Sequence, residues 1–283
     1  MRIGGATLQA HGDADHSWTA RHDGTMHTRI RIGCAGWSIA AIHAGAFPGD
    51  GSHLERYARV FDAVEINSSF YKPHRPRTYA KWADAVPDEF RFAVKMPRVL
   101  SHEKRLRDCE GDLRSFLDAV LQLREKLGVL LLQLPPTLAF DARVALAFFD
   151  RMQASYRGAV ACEPRHASWF TIDVESALRS RGIARVAADP ARPPRAAVPG
   201  GDRRIEYARL HGSPRVYYDA YPRATLERIA ARLMRPSLRT RERWCIFDNT
   251  ALGHALTDAL AVGARIGTPA RGRAPAKSGV VRA

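Results

Sequence analysis

The chain has 283 residues, of which 46% are hydrophobic and 26% charged, proportions that are ordinary for a globular protein and exclude a wholly disordered one. Its 44 lysines and arginines outnumber its 29 acidic residues, which gives a formal net charge of +15. No apolar run approaches the ~20 residues of a membrane span, and the first residues contain no apolar signal-peptide core. We therefore expect a cytoplasmic protein without a membrane partner.

The two ends of the chain differ in composition from the rest. Residues 1–28 are polar and rich in glycine and histidine, without apolar periodicity, and we predict a disordered extension there. Residues 268–283 are rich in proline, glycine and arginine and predict a disordered basic tail. The net charge permits weak nucleic-acid association through the basic surface and this tail. The region between them, residues 29–267, is expected to form one domain.

Short apolar runs alternate with amphipathic segments along that domain. Predicted strands cover residues 30–34, 63–66, 90–95, 129–132, 158–163, 183–188, 205–210 and 244–247. A capping box at Ser52 and Glu55 begins the first predicted helix, and Asp141 is the predicted N-cap of another. The other predicted helices cover residues 78–86, 112–127, 172–181, 224–233 and 252–262. A proline-rich stretch after residue 188 predicts a long loop where the sixth helix would stand.

Alternating strands and helices are typical of parallel α/β folds. Eight such units favour a single (β/α)8 TIM-barrel-like domain, with an open doubly wound sheet as the alternative. The four cysteines are far apart and form no CxxC motif, so we expect free, buried thiols rather than disulfides or a zinc site. They are Cys34, Cys109, Cys162 and Cys245.

Polar residues follow nearly every predicted strand, and in (β/α)8 barrels the active site lies at this carboxyl edge. The same segments include Ile-Gly-Cys-Ala-Gly-Trp, Glu-Ile-Asn-Ser-Ser-Phe-Tyr, Leu-Gln-Leu-Pro-Pro, Glu-Pro-Arg-His-Ala-Ser-Trp and Leu-His-Gly, each ending or following a predicted strand. In this order, from about Arg31 to Ile266, they resemble the DUF72 (YecE-like) family. The resemblance implies a TIM-barrel-like fold and no settled activity. Asp248 stands where the family has an asparagine.

We expect an anionic, possibly phosphorylated, small molecule at the carboxyl edge as substrate or ligand. The candidate catalytic residues are Glu163, Glu65, His211 and Lys95. A carboxylate with a raised pKa would act as general base, and Lys95 as a Schiff-base amine or an anion contact, with an ion pair to Glu65 as the structural alternative. The candidate substrate-binding residues are Trp37, Asn67, Tyr71, Gln133, Arg165, Trp169, Arg209 and Asn249. Because Glu163 and Arg165 are two residues apart, we expect both side chains to share a face near His211 and Arg209.

Two other classes of function remain open. The first is a Mn²⁺- or Mg²⁺-dependent isomerase, epimerase or endonuclease IV-like phosphodiesterase, with Glu163, Asp189, His211 and Asp248 as metal ligands. No cofactor is favoured over this alternative. The second is a non-catalytic nucleic-acid-binding or scaffold protein. The sequence contains no dinucleotide fingerprint, P-loop, Gly-x-Ser-x-Gly or His-Glu-x-x-His motif, which argues against the corresponding enzyme classes.

Overall fold

The structure, a computed structural model, describes residues 28–267, so the predicted tail and all but the last residue of the predicted extension lie outside the described residues. The strands are β1 (Arg29–Cys34), β2 (Ala63–Ile66), β3 (Arg91–Lys95), β4 (Leu127–Gln133), β5 (Ala159–Glu163), β6 (Ile183–Arg185), β7 (Ala187–Asp189), β8 (Gly200–Gly201), β9 (Ile205–Leu210) and β10 (Glu242–Phe247). The helices are α1 (His53–Ala58), α2 (Ser68–Tyr71), α3 (Pro76–Asp84), α4 (Glu110–Val120), α5 (Ala142–Ser155), α6 (Ile172–Ser180), α7 (Arg223–Leu233) and α8 (His254–Arg265).

The strands form two sheets that are parallel except at β8. One sheet has the order β1-β10-β9-β7, and the other has the order β2-β3-β4-β5-β6-β8, with β8 antiparallel to β6. The sheets adjoin at two places. A single bridge joins Ala35 to Glu65, and Val186 alone separates β6 from β7. The predicted parallel α/β class is confirmed. The hydrogen-bond ladders form two sheets rather than one closed barrel, because β1 and β2 share one bridge and the predicted strand 183–188 is divided at Val186.

The interior between the strands is filled from both sheets. A buried apolar cluster combines small and large side chains of seven strands, namely Ala63, Ala93, Val129, Leu131, Ala161, Ala184, Val186, Tyr207, Trp244 and Ile246. A second, larger cluster lies between the strands and the helices. Successive strand residues alternate between these clusters, as in Ala63 inside and Val64 outside, because side chains on a strand alternate faces. This alternation decides which polar residues reach the interior.

Local signals in the sequence account for the helix starts. The Ser52 hydroxyl accepts from the Glu55 backbone N–H, and the Glu55 carboxylate accepts from the Ser52 backbone N–H, which completes the predicted capping box of α1. The Asp141 side chain accepts from the Val144 N–H at the start of α5, as predicted. Between β7 and β9 the described chain contains only a 3-10 turn, Pro194–Ala197, and the short strand β8, which confirms the predicted loop in place of a helix.

All four cysteines are buried and free, as expected. Among residues 28–267 we find no helix with the length and apolar character needed to span a bilayer.

Candidate functional site

The interior of the strand layer changes from apolar to polar at its carboxyl edge. In six strands or their direct extensions, a polar residue lies two positions after an apolar member of the inner cluster, on the same face. These polar residues are Glu65, Lys95, Gln133, Glu163, Arg209 and Asp248. We use the name carboxyl-edge cluster for seven residues, namely Glu65, Lys95, Glu163, Arg165, Arg209, His211 and Asp248.

Arg209 holds the three carboxylates of the cluster together. Its guanidinium donates to Glu65 Oε1 at 2.7 Å, to Glu163 Oε2 at 2.6 Å and to Asp248 Oδ2 at 2.8 Å. Burial alone would lower the pKa of Arg209, but the three carboxylates raise it well above its ordinary value. Tyr207 also donates its hydroxyl to Glu65 at 2.8 Å. Protein carboxylates thus accept from Nε, Nη1 and Nη2 of Arg209, and its expected contact with a ligand stays a prediction.

Glu163 and Arg165 lie on one face and close to His211 and Arg209, as their spacing of two residues predicts. Arg165 Nε and Nη2 donate to Glu163 Oε1 at 3.1 and 3.0 Å, and Glu163 also contacts Arg209 and His211. The Arg165 side chain is 33% exposed, while that of Glu163 is 2% exposed. Arg165 thus connects the buried carboxylates to the surface.

His211 lies between two carboxylates of the cluster. Its Nδ1 lies 3.0 Å from Asp248 Oδ2, within hydrogen-bond distance. Its Nε2 lies 3.4 Å from Glu163 Oε1, which is close enough for an ion pair. Within residues 28–267, Nε2 makes no aligned hydrogen bond. Burial alone would lower the pKa of His211, but Asp248 and Glu163 raise it. These two carboxylates thus shift the imidazole towards its protonated form.

The expected general base with a raised pKa is not found at Glu163. Burial alone would raise the pKa of this carboxyl, but Arg209, His211 and Arg165 hold it well below its usual range. The pKa of Asp248 is lowered in the same way, mainly by Arg209 acting against burial. Both carboxylates stay charged near neutrality, where a weak base of this kind removes protons poorly.

Lys95 has a different environment from the other cations of the cluster. Its side chain is 8% exposed, and its Nζ lies 3.9 Å from the centre of the Phe70 ring. Among the described residues the ammonium makes no hydrogen bond or ion pair, so the alternative of a pair with Glu65 is wrong. Burial, followed by the charge of Arg209, lowers the pKa of Lys95 to about 8.

Asn67 adds a second buried atom without a partner. Its Nδ2 donates to Asp248 Oδ1 at 3.4 Å, while its Oδ1 has no hydrogen-bond partner among the described residues. His211 Nε2 also has no hydrogen-bond partner among the described residues. Asn67 and His211 both form a hydrogen bond with the Asp248 carboxylate. Unsatisfied buried polar atoms are rare in folded proteins and require an explanation.

Three predicted ligand-binding residues have structural roles instead. Trp169 is buried against Phe140 and donates its indole N–H to the Leu138 carbonyl at 2.9 Å, so it does not face the carboxyl-edge cluster. Asn249 donates to the Asp258 carboxylate at 2.8 Å and to a loop carbonyl. Gln133 donates to the neighbouring Leu134 carbonyl at 2.8 Å. Sequence spacing did not reveal these internal partners.

Two aromatic candidates lie at the surface. Trp37 packs edge-on against Trp82 at 5.0 Å and is half-buried. Tyr71 is 73% exposed and packs against Phe70. Phe70 in turn contacts Lys95, so the Phe70 ring lies between Tyr71 and the cluster.

Three of the four residues of the metal alternative, Glu163, His211 and Asp248, lie together in the cluster. Arg209 bridges Glu163 and Asp248, and a guanidinium at this position repels a cation. Asp189 instead accepts from the Tyr221 hydroxyl at 2.9 Å. Over residues 28–267, no group of three or more histidine, cysteine or acidic side chains has the arrangement of a metal site.

Two residues near the cluster escaped the sequence analysis. Tyr207 lies two residues before Arg209 on β9, so strand periodicity alone could have placed it beside Glu65. Tyr217 packs edge-on against the His211 ring at 5.6 Å, with a left-handed backbone φ of 71°. It belongs to an irregular loop, where no periodic pattern predicts its position.

The fold and the polar carboxyl edge define an α/β protein with parallel strands. The chain belongs to the DUF72 family: the family model, described as "Protein of unknown function DUF72", matches residues 31–279. The UPF0759 protein YecE of Escherichia coli K12 is 35% identical over 152 residues, or 52% of this chain and 55% of that protein. The UPF0759 protein YunF of Bacillus subtilis is 28% identical over 153 residues, or 50% of this chain and 52% of that protein. The chain thus spans about half the length of the curated relatives it matches.

Two solved DUF72 structures have the same fold. The protein from Enterococcus faecalis V583 superposes with a TM-score of 0.71 at 20% identity, covering 87% of this chain and all of that chain. The protein from Thermotoga maritima MSB8 superposes with a TM-score of 0.68 at 24% identity, covering 84% of this chain and 99% of that chain. These structures support the α/β architecture and name no activity.

Proposed function

We propose that the carboxyl edge binds an anionic small molecule. One observation carries the proposal: Lys95 Nζ has no acceptor among residues 28–267, although Lys95 is only 8% exposed. His211 Nε2 adds a second, buried donor, whose contact with Glu163 Oε1 at 3.4 Å is not aligned as a hydrogen bond. Burying a polar donor without a partner is costly, and burying an unpaired charge costs more. An anion bound between these donors would supply the missing acceptor.

The distribution of charge within the cluster supports the same proposal. With His211 protonated, the cluster holds four cations, Lys95, Arg165, Arg209 and His211, against three carboxylates, Glu65, Glu163 and Asp248, and Lys95 is the cation that pairs with none of them. Arg165 donates from Nε and Nη2 to Glu163 and also contacts the Tyr217 side chain, and at 33% its side chain is the most exposed of the cluster. Guanidinium groups bind carboxylates and phosphates in a bidentate manner. In this proposal Arg165 and Lys95 bind the anion, His211 is the proton donor, and Glu65 and Glu163 are positioning residues.

We also propose that the two sheets together form a (β/α)8-like barrel. The Ala35–Glu65 bridge and the continuation of β6 into β7 connect the sheets at both sides, and side chains of both sheets share the inner apolar cluster. In such a barrel, the carboxyl edge would be the position at which barrel enzymes bind their substrates.

Binding of inorganic phosphate tests the anion proposal. A ligand that binds only the folded state raises the melting temperature, so phosphate should raise it more than sodium chloride at the same ionic strength. Arg165→Gln should lose most of this rise. Arg223→Gln is the matched control, because Arg223 is an exposed arginine of α7 paired with Glu227, outside the cluster. Equal rises in both variants would contradict the proposal.

A further inference from the structure

The Lys95 side chain is fixed at both of its ends. It extends from the last residue of β3 into the strand interior, two residues after Ala93. Its carbonyl accepts the Ser69 hydroxyl at 2.7 Å, and its Nζ lies over the Phe70 ring. Ser69 and Phe70 both belong to α2, so one short helix orients the backbone and covers the amine. An amine held in this way pays less entropy when it reacts.

Lys95 differs from the other lysines that the structure describes. Lys104 pairs with Asp112 at 2.7 Å, and Lys126 donates to the carbonyls of Ala83 and Val86. Lys72 and Lys81 are exposed. Lys95 alone in this part of the chain combines burial with an ammonium that no acceptor satisfies.

The surroundings of Lys95 increase the fraction of its amine that is neutral. Burial and the charge of Arg209 on β9 lower its pKa to about 8, although Glu65, Glu163 and Asp248 oppose this change. Lys95 in turn lowers the pKa of His102, whose own burial has the larger effect. With a pKa of about 8, roughly one tenth of the Lys95 amines are neutral at pH 7, which far exceeds the fraction for an ordinary lysine.

We propose that Lys95 is a nucleophile that forms an imine with a small anionic aldehyde or ketone, such as an oxo acid, an inference that rests on the proposed anion site. Its Nζ adds to the carbonyl carbon and forms a carbinolamine. The two nitrogen-bound hydrogens of the neutral amine leave with the carbonyl oxygen as water, and a C=N bond remains. Arg165 would bind the anionic group of the same molecule, while the Phe70 ring covers one side of the amine. Lysine imines activate the carbon next to the former carbonyl.

Reductive trapping with glyoxylate and cyanoborohydride tests this inference. The reductant converts an imine to a stable secondary amine, and peptide mass mapping then identifies the modified lysine. At pH 7.5 we expect Lys95 to be modified at least about tenfold faster than each of the five other lysines, because more of its amine is neutral. The advantage of Lys95 over the exposed lysines should shrink as the pH rises above about 8, the pKa of Lys95, because its own amine is then already neutral. A ratio of rates is used because cyanoborohydride reduces the protonated imine at every lysine.

Matched variants control this experiment. Lys95→Arg should lose the fast modification, whereas Lys81→Arg, at an exposed position of α3, should retain it. Modification of Lys95 at or below the rate of the exposed lysines would overturn the inference, since it would show that the amine is protonated or inaccessible. The wild-type protein gives this comparison internally, so the result does not depend on whether a variant folds.

A second arm separates this inference from the proposed function. Glycolaldehyde is a neutral aldehyde, and inorganic phosphate competes only for the anion site. Fast trapping of glyoxylate that phosphate inhibits supports both proposals. Fast trapping of both aldehydes without inhibition by phosphate supports the nucleophile and overturns the anion site. Phosphate binding without fast trapping overturns the nucleophile alone.

Discussion

Single residues of the cluster differ sharply in how they are stabilised, and Arg209 has the most partners. Its substitution by methionine would remove the cation that three buried carboxylates share and would leave Glu65 without any cation, so we expect Arg209→Met to lower the free energy of unfolding at pH 7 by about 3–5 kcal/mol. Urea denaturation measures this loss. Arg165→Met should cost clearly less, since Arg165 contacts one carboxylate and is partly exposed. Equal losses in both variants would contradict the central position of Arg209.

Substitution of Lys95, unlike that of Arg209, should stabilise the protein. Because the fold lowers its pKa from 10.5 to about 8, the protonated form is disfavoured relative to the unfolded chain. Lys95→Met should therefore raise the free energy of unfolding at pH 7 by about 3 kcal/mol. The gain is full below pH 8 and disappears as the pH rises towards 10.5, where the unfolded lysine also loses its proton. A loss of stability at pH 7 would show that Lys95 has a stabilising partner.

The contacts of His211 should make the free energy of unfolding depend on pH, with more stability at low pH than at high pH. Its folded pKa is raised above 6.5, so its contacts with Asp248 and Glu163 add stability that is complete below pH 6.5. This stability is lost as the pH rises through the folded pKa. His211→Gln should thus be less stable than wild type by about 2 kcal/mol at pH 5.5–6, with a smaller difference at high pH. A difference independent of pH would mean that folding leaves the pKa of His211 unchanged.

Among the elements, the segment that replaces a helix between β7 and β9 depends on one glycine. Gly201 in β8 has a φ of 61°, and a Cβ there would lie 2.3 Å from the Ile183 carbonyl oxygen. We expect Gly201→Ala to destabilise the protein by about 2 kcal/mol or more. Gly263→Ala is the control, since a Cβ at this position of α8 meets no atom within 4 Å and should stabilise the helix by about 0.5–1 kcal/mol. Thermal denaturation distinguishes the two signs.

The sequence predicted elements well where the pattern was local. The strands 63–66 and 205–210 have the predicted bounds, and the caps at Ser52 and Asp141 are present. The predicted strand 183–188 is divided at Val186, because its first half pairs with β5 and its second half with β9. Pairing of this kind depends on residues far apart in the chain, and apolar periodicity contains no information about it.

For the candidate site, strand periodicity brought the correct polar residues to one edge but did not reveal their partners. Glu65, Glu163 and Arg209 meet as their positions predict, yet only the structure shows that Arg209 neutralises the carboxylates and lowers the pKa of Glu163. The hydrogen bonds of Trp169 to Leu138 and of Asn249 to Asp258, inside the fold, could not be predicted for the same reason.

At the scale of the whole molecule, the net charge of +15 predicts weak binding to nucleic acid. Affinity for duplex DNA should fall steeply with salt and should not depend on sequence, because each neutralised phosphate contributes about 0.9 to the slope of log K against log salt. Deleting residues 268–283 removes four positive charges, Arg271, Arg273, Lys277 and Arg282, and should lower that slope. No retention of DNA at low salt would show that the charge has no role in such binding.

The account as a whole depends on an anion at the carboxyl edge, and a crystal soaked in selenate tests this most directly. Selenate is a tetrahedral anion whose anomalous scattering locates it independently of the protein. We predict an anomalous peak within hydrogen-bond distance of Lys95 Nζ or His211 Nε2, with Arg165 facing it, and no such peak in Arg165→Gln crystals. Peaks confined to the outer surface, with the cluster occupied by water alone, would contradict the account.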